Sequence, residues 1–192
     1  MPTVGVLALQ GDFEAHRSAL QRAGAKAVEV RTAAELQEVD ALVIPGGEST
    51  TMLKLLYAEH LFQPLSDFGQ QKPIFGTCAG AILLAKDVRS PKQESLDLVD
   101  LTVERNAYGR QIDSRIVTLH PQAESGLPES LEAVFIRAPI IRRVGDEVRV
   151  LARYESDPVL VEQGRHLIAT FHPELSEDCS IHRRFLDKVT QG

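Results

Sequence analysis

The strongest constraint on the fold is a series of short, unbroken apolar runs that alternate with helical patterns through the first half of this 192-residue chain. Residues 4–9 (Val-Gly-Val-Leu-Ala-Leu) form one such run, and Ala41-Leu-Val-Ile44 forms another, ended by Pro45-Gly-Gly47. Between them Phe13, Ala15, Ala19 and Leu20 recur near helical spacing, behind an Asp12 placed to cap the helix. Residues 27–30 and 72–75 read as further strands, and 79–85 as a helix. Runs without polar alternation belong to strands covered on both faces, and strands separated by helices pair in parallel through right-handed crossovers. The expected class is therefore α/β, with a mostly parallel central sheet.

Beyond about residue 95 the texture changes. Val99–Glu104, Ser114–Leu119 and residues 133–137, 148–154, 158–162 and 166–171 read as short strands. Turn-like segments such as Val144-Gly-Asp146 and Glu162-Gln-Gly164 join them, which predicts antiparallel additions to the sheet in the C-terminal half. Residues 178–189 form an amphipathic pattern that closes the chain as a helix. With no repeat, linker or low-complexity tract, residues 1–192 read as one domain.

Charge and cysteine content narrow the function classes. A formal charge of -6 (27 acidic against 21 basic residues) argues against nucleic-acid binding. No apolar run reaches the roughly 18 residues of a membrane span, and the N-terminus carries no secretion-signal pattern. Two cysteines, Cys78 and Cys179, make a poor disulfide framework, so a reducing cytoplasmic setting is expected. The absence of CxxC, HExxH or a clustered His/Asp set points away from a metal enzyme.

Gly76-Thr-Cys-Ala-Gly80 places Cys78 between a predicted strand and a predicted helix, with a glycine two positions away on each side. A tight strand-to-helix turn pushes such a side chain out at the carboxyl end of the sheet, and the flanking glycines avoid collisions across the turn. The helix N-terminus favours thiolate and offers free N–H groups to an oxyanion. A buried structural cysteine is the alternative reading. A nucleophilic thiol needs a base, and the base an orienting group. Of the six histidines, His172 ends an apolar strand and precedes Pro173-Glu174. In extended backbone, residues i and i+2 face the same side about 6.5–7 Å apart, so Glu174 is expected to fix the imidazole of His172. A solvated strand end is the competing account of that pair. His16, His60, His120, His166 and His182 lack such a neighbour and read as surface or packing residues; Cys179, without flanking glycines, reads as structural. Pro45-Gly-Gly-Glu-Ser-Thr-Thr51 is either an anion-facing loop or a plain β-to-α connection. Arg105 and Arg137 are either carboxylate clamps or solvated charges.

Taken together, these segments resemble the class I, triad-type glutamine amidotransferases. Gln10-Gly11, Gly46-Gly-Glu-Ser-Thr-Thr51, Val103-Glu-Arg-Asn106 with Gly109-Arg-Gln111, and Phe135-Ile-Arg-Ala-Pro139 resemble the branch that serves pyridoxal 5′-phosphate synthesis. Phe75-Gly-Thr-Cys-Ala-Gly80 and Phe171-His-Pro-Glu-Leu175 are shared across the wider family.

The resemblance implies a flavodoxin-like three-layer α/β/α sandwich and hydrolysis of L-glutamine through a glutamyl thioester. Cys78 would be the nucleophile, His172 base and then acid, and Glu174 the orienting group. It implies an oxyanion hole at Gly47 and Ala79, completed by Gln10 on activation. It also implies glutamine contacts from Gly46, Gly47, Glu48, Ser49, Arg105, Ile136 and Arg137. No cofactor or metal is expected. The implied partner is a (β/α)8-barrel synthase subunit in a hetero-oligomeric complex, to which ammonia passes. Where some relatives carry histidine after Ala138-Pro139, this chain has Ile140-Ile-Arg-Arg143. Another cysteine hydrolase on the same fold, or an inert docking subunit, are the rival readings.

Overall fold

The computed structural model describes residues 1–106 and 114–192. Its elements run β1 (Thr3–Leu7), α1 (Phe13–Ala23), β2 (Lys26–Val30), α2 (Ala33–Gln37), β3 (Ala41–Ile44), α3 (Ser49–Ala58), α4 (Phe62–Gln71), β4 (Ile74–Thr77), α5 (Ala79–Leu84) and β5 (Ala85–Arg89). Then come β6 (Val99–Glu104), β7 (Ser114–Leu119), β8 (Leu131–Ile136), β9 (Ile140–Val144), β10 (Arg149–Tyr154), β11 (Asp157–Gln163) and β12 (His166–Ala169). A 3-10 turn at Pro173–Leu175 leads to α6 (Ser180–Gln191).

The runs lacking polar alternation take the middle of the sheet. Every residue of β3, β4 and β12 is buried, as two covered faces require. The central sheet has the order β10-β11-β12-β4-β3-β1-β2, and its β12-β4-β3-β1-β2 portion is parallel. One apolar layer packs Leu36, Met52, Leu56, Leu65 and the α5 leucines on one face; the other packs Leu20, Phe135, Phe171 and Phe185 on the opposite face. Helices α1 and α6 lie against each other on that second face. The result is the three-layer α/β/α sandwich.

The central sheet carries antiparallel additions from the C-terminal half, as expected, but fewer of the predicted strands join it. Among the described residues only β11, antiparallel to β12, and β10, antiparallel to β11, extend the central sheet. β6 instead joins β5 and β9 in a separate three-stranded sheet, and β7 pairs with β8 as a two-stranded sheet of its own. Apolar alternation records which face of a strand is buried, and leaves its edge partners open. Asp12 holds the N-cap position of α1 but makes no side-chain cap bond; its N–H reaches the Gly46 carbonyl at 3.3 Å, tying the first turn to the loop after β3.

The elbow is fixed by close backbone approach. A Cβ on Gly80 would run into the Ile44 carbonyl, and one on Gly76 would sit 2.7 Å from the carbonyl of Gly80. Gly80→Ala is therefore expected to cost about 1–3 kcal/mol of stability by overpacking, read as a lower urea midpoint with unchanged m-value; an unchanged midpoint would refute the close-packing account.

Candidate active site

Cys78 sits at the carboxyl end of β4, where the chain turns into α5. Its backbone is at φ 50°, ψ -104°, a conformation that non-glycine residues adopt only when their surroundings hold them there. Those surroundings are visible: the Cys78 N–H donates to the Ala169 carbonyl at 2.9 Å, and the Ile82 N–H to the Cys78 carbonyl at 3.2 Å. The thiol approaches the Ile136 carbonyl at 3.8 Å. The glycine-flanked turn thus forms as the sequence predicted.

His172 follows β12, and its N–H donates to the Val134 carbonyl at 2.8 Å. Its Nδ1 lies 2.6 Å from Glu174 Oε1, with the carboxylate fully buried. The pairing matches expectation, but the route differs. Pro173 opens a 3-10 turn that carries Glu174 back under the ring, so the two residues do not share the side of an extended strand. Proline is pre-set for the first position of such a turn, because its φ is fixed near -65°.

Burial opposes a charge on His172, but bonds to Cys78 and Glu174 and their negative charges outweigh it, raising its pKa to about 10. The imidazole is thus held as a cation between sulfur and carboxylate, the setting in which cysteine reacts as thiolate.

The loop after β3 closes the site from the other side. A Cβ on Gly46 would collide with the His172 ring and stand 3.3 Å from the Cys78 Cβ; one on Gly47 would collide with the Gln10 amide. Gln10 Oε1 accepts the Glu48 N–H at 3.0 Å. Glu48 caps α3, accepting the Thr50 and Thr51 N–H groups at 3.2 and 2.7 Å. Arg105 donates to Thr50 Oγ1 at 2.7 Å and stands 3.6 Å from Glu48. Ser49 and Thr50 both reach Gln93 Oε1. Ala79 opens α5, and Arg137 lies exposed beyond β8 with φ 45°. The Gly109-Arg-Gln111 segment lies outside the described residues.

Two groups escaped the sequence reading as parts of this site. Gln93 braces the Ser49–Thr50 turn, and no local pattern marked it. His16 and His182 are both fully buried behind Glu174. The signal for His16 was its spacing: it lies three and four residues before Ala19 and Leu20, on the inward face of α1.

Burial, first of all, drives the pKa of His16 well below the ordinary histidine value, that of His182 to about 3 and that of His166 to about 4. Below about pH 6.5 the unfolded chain takes up protons that these three native rings refuse, so stability falls as pH drops. His172, already protonated when folded, works in the opposite direction and offsets one of the three. Between about pH 7.5 and 5.5 the net loss is expected to be roughly 2–3 kcal/mol, measured by urea unfolding; a flat or rising midpoint would contradict it.

Among the described residues no group of three or more His, Cys, Asp or Glu side chains is placed to hold a metal ion, and no helix is long and apolar enough to cross a membrane. A groove of about 850 Å³ lined by Pro73, Arg165 and Lys188 opens at the opposite, amino end of the parallel strands, and neither cysteine nor histidine is among its lining residues.

The model of the SNO glutamine amidotransferase family matches residues 6–191. The chain is 60% identical to a protein of Solibacter usitatus described as pyridoxal 5′-phosphate synthase subunit PdxT, over 98% of this chain and 100% of that one. It is 54% identical to the Koribacter versatilis protein of the same description, over 98% and 96%. A crystal structure of a glutamine amidotransferase, 47% identical, superposes with a TM-score of 0.90 over 97% of this chain and 98% of that one. The structure of PurLQS from Thermotoga maritima, 16% identical, shares the fold with a TM-score of 0.67 over 99% of this chain and 98% of that one. With its central sheet, its glycine-flanked cysteine and its histidine–glutamate pair, the chain belongs to the SNO glutamine amidotransferase family.

Proposed function

We propose that this chain is the glutaminase subunit of a pyridoxal 5′-phosphate synthase, hydrolysing L-glutamine to L-glutamate and ammonia. The observation that carries the reading is the buried Glu174–His172 pair at 2.6 Å beside Cys78 on its strained turn. Residues 1–192 act as one glutaminase domain.

The charge on His172 sets the order of proton transfers. With the imidazole protonated at rest, the Cys78 sulfur attacks the side-chain amide carbon of glutamine as a thiolate. The oxygen becomes an oxyanion held by the Gly47 and Ala79 N–H groups, with Gln10 joining on activation. His172 then gives its proton to the departing nitrogen, ammonia leaves, and a glutamyl thioester remains. Neutral His172 next takes a proton from water; hydroxide adds to the thioester, and glutamate departs as thiolate and imidazolium re-form. Glu174 stabilises the cation and fixes the ring throughout. Gly46, Gly47, Glu48, Ser49, Arg105, Ile136 and Arg137 surround the substrate, with an arginine pairing its α-carboxylate. No cofactor enters this chemistry.

The partner is a (β/α)8-barrel synthase subunit in a hetero-oligomeric complex that receives the ammonia, and the setting is the cytoplasm. Because Gln10 Oε1 is engaged with the Glu48 N–H, docking is what rearranges this loop and switches hydrolysis on. The test is glutamate release from glutamine, with and without the synthase subunit. Release that rises strongly in the complex supports the reading; none in the complex overturns it.

A further inference from the structure

Glu174 uses one oxygen for His172. The other, Oε2, is buried and has no aligned hydrogen bond among the described residues. Its charged-range neighbour is His16 Nε2 at 3.3 Å, a nitrogen that also stands 3.0 Å from Thr77 Oγ1. On its far side, His16 Nδ1 meets His182 Nε2 at 3.0 Å. A buried carboxylate oxygen left without a donor is costly, so the protons of this array can be assigned.

Both rings are neutral, because burial disfavours their cations. Each therefore carries one N–H, and two arrangements are possible. In one, His16 holds its proton on Nδ1 and gives it to His182; its Nε2 accepts the Thr77 hydroxyl but turns a lone pair toward the Glu174 carboxylate, and the unpartnered His182 Nδ1 becomes a buried orphan donor. In the other, His182 Nε2–H donates to His16 Nδ1, and His16 Nε2–H points at Thr77 Oγ1 and Glu174 Oε2. Only a weak acceptor, His182 Nδ1, is then left unpaired. The second arrangement removes both the repulsion and the orphan donor.

We propose that His16 is a positioning residue of the triad, its Nε2–H supplying the missing donor to Glu174 Oε2 while His182 fixes its tautomer. The chain His182–His16–Glu174–His172–Cys78 then joins α6 and α1 to the elbow. Its role in glutamine hydrolysis rests on the function proposed above. The groups that face the ion pair are Cys78 from the elbow, Glu174 from the 3-10 turn and His16 from α1. Behind them stand His182 on α6 and the positive charge of Arg22 on α1. Without the His16 donor, Glu174 holds the imidazolium less firmly, and Cys78 loses part of its reactivity.

The test has two readouts. In the complex, His16→Ala is expected to lower kcat by about 10–100-fold, as for other partners that orient a reacting group's ligand, with KM changed far less. In the free chain, the rate of Cys78 alkylation by iodoacetamide, followed against pH by peptide mapping to separate it from Cys179, is expected to fall at neutral pH, its profile moving toward alkaline pH. His16→Gln, whose amide nitrogen reaches as far as Nε2, is expected to restore both; His16→Asn, which is shorter, is not. If His16→Ala does not fold, the contrast between Gln and Asn decides. A folded His16→Ala with wild-type kcat and alkylation profile overturns the proposal, and so does a folded His16→Gln as impaired as His16→Asn. Should the wild-type complex release no glutamate, the glutaminase reading falls, while the alkylation profiles still decide whether His16 positions the pair.

Discussion

Cys78→Ala is expected to reduce glutamate release by the complex by at least about 10⁴-fold, on the scale seen when the nucleophile of a hydrolytic triad is removed. The substitution deletes a single sulfur atom and keeps the Cβ, so the turn itself should persist. It is held by the bond from the Cys78 N–H to Ala169 and by the glycines packed around it, and neither involves the sulfur. The thermal midpoint should therefore stay within a few degrees, and binding to the synthase subunit should survive. Cys179, buried ahead of α6, is the internal control: Cys179→Ala should leave turnover intact. Undiminished hydrolysis by Cys78→Ala would sink the triad assignment.

His172→Asn should be nearly as severe, with kcat falling on the order of 10³–10⁴-fold, because among the described residues His172 is the ionisable group bonded to Cys78 and placed to protonate the departing nitrogen. The asparagine amide can still donate toward Glu174, so the carboxylate is not stranded and the complex should still assemble. Loss of docking would show that His172 serves the interface. The same substitution isolates a stability effect. A histidine whose folded pKa is raised, here to about 10, binds its proton more tightly when native. Its stabilising contribution is fully present below about pH 6.5 and is lost progressively as pH climbs toward 10. Compared in the absence of the thiol, whose own proton otherwise enters the balance, Cys78→Ala should lose stability across that alkaline window more steeply than Cys78→Ala/His172→Asn, as read from urea midpoints. Parallel curves would mean that Glu174 does not hold the ring as a cation.

How much of this was legible beforehand varies with the kind of constraint. The bounds of β3, β6 and β7 agree with those read from the chain. Apolar runs and clean alternation end where polar or turn residues take over. The elbow was legible because only small residues fit at positions 76 and 80, a local steric demand. Glu174 was identified as the partner of His172, yet the bond is made through a turn begun by Pro173, which a two-residue strand argument did not anticipate. His16 reads from the sequence as a surface or packing residue, and the structure buries it completely. It does pack, but its ring nitrogens meet His182 and approach Glu174, and sequence spacing carries no record of that meeting.

The division between the two sources follows from the range of the forces. By itself the sequence determined the doubly covered central strands and the glycine-flanked turn at Cys78, and it marked the histidine–acid pair, because each depends on burial or sterics within a few neighbouring residues. Only the tertiary structure decided that β6 leaves the central sheet and that Gln10 grips the loop above Cys78. It also decided that His16 and His182, 166 residues apart, close behind Glu174. Such contacts are set by packing between distant segments: a buried face must find some partner, and the periodicity that marks the face does not name it.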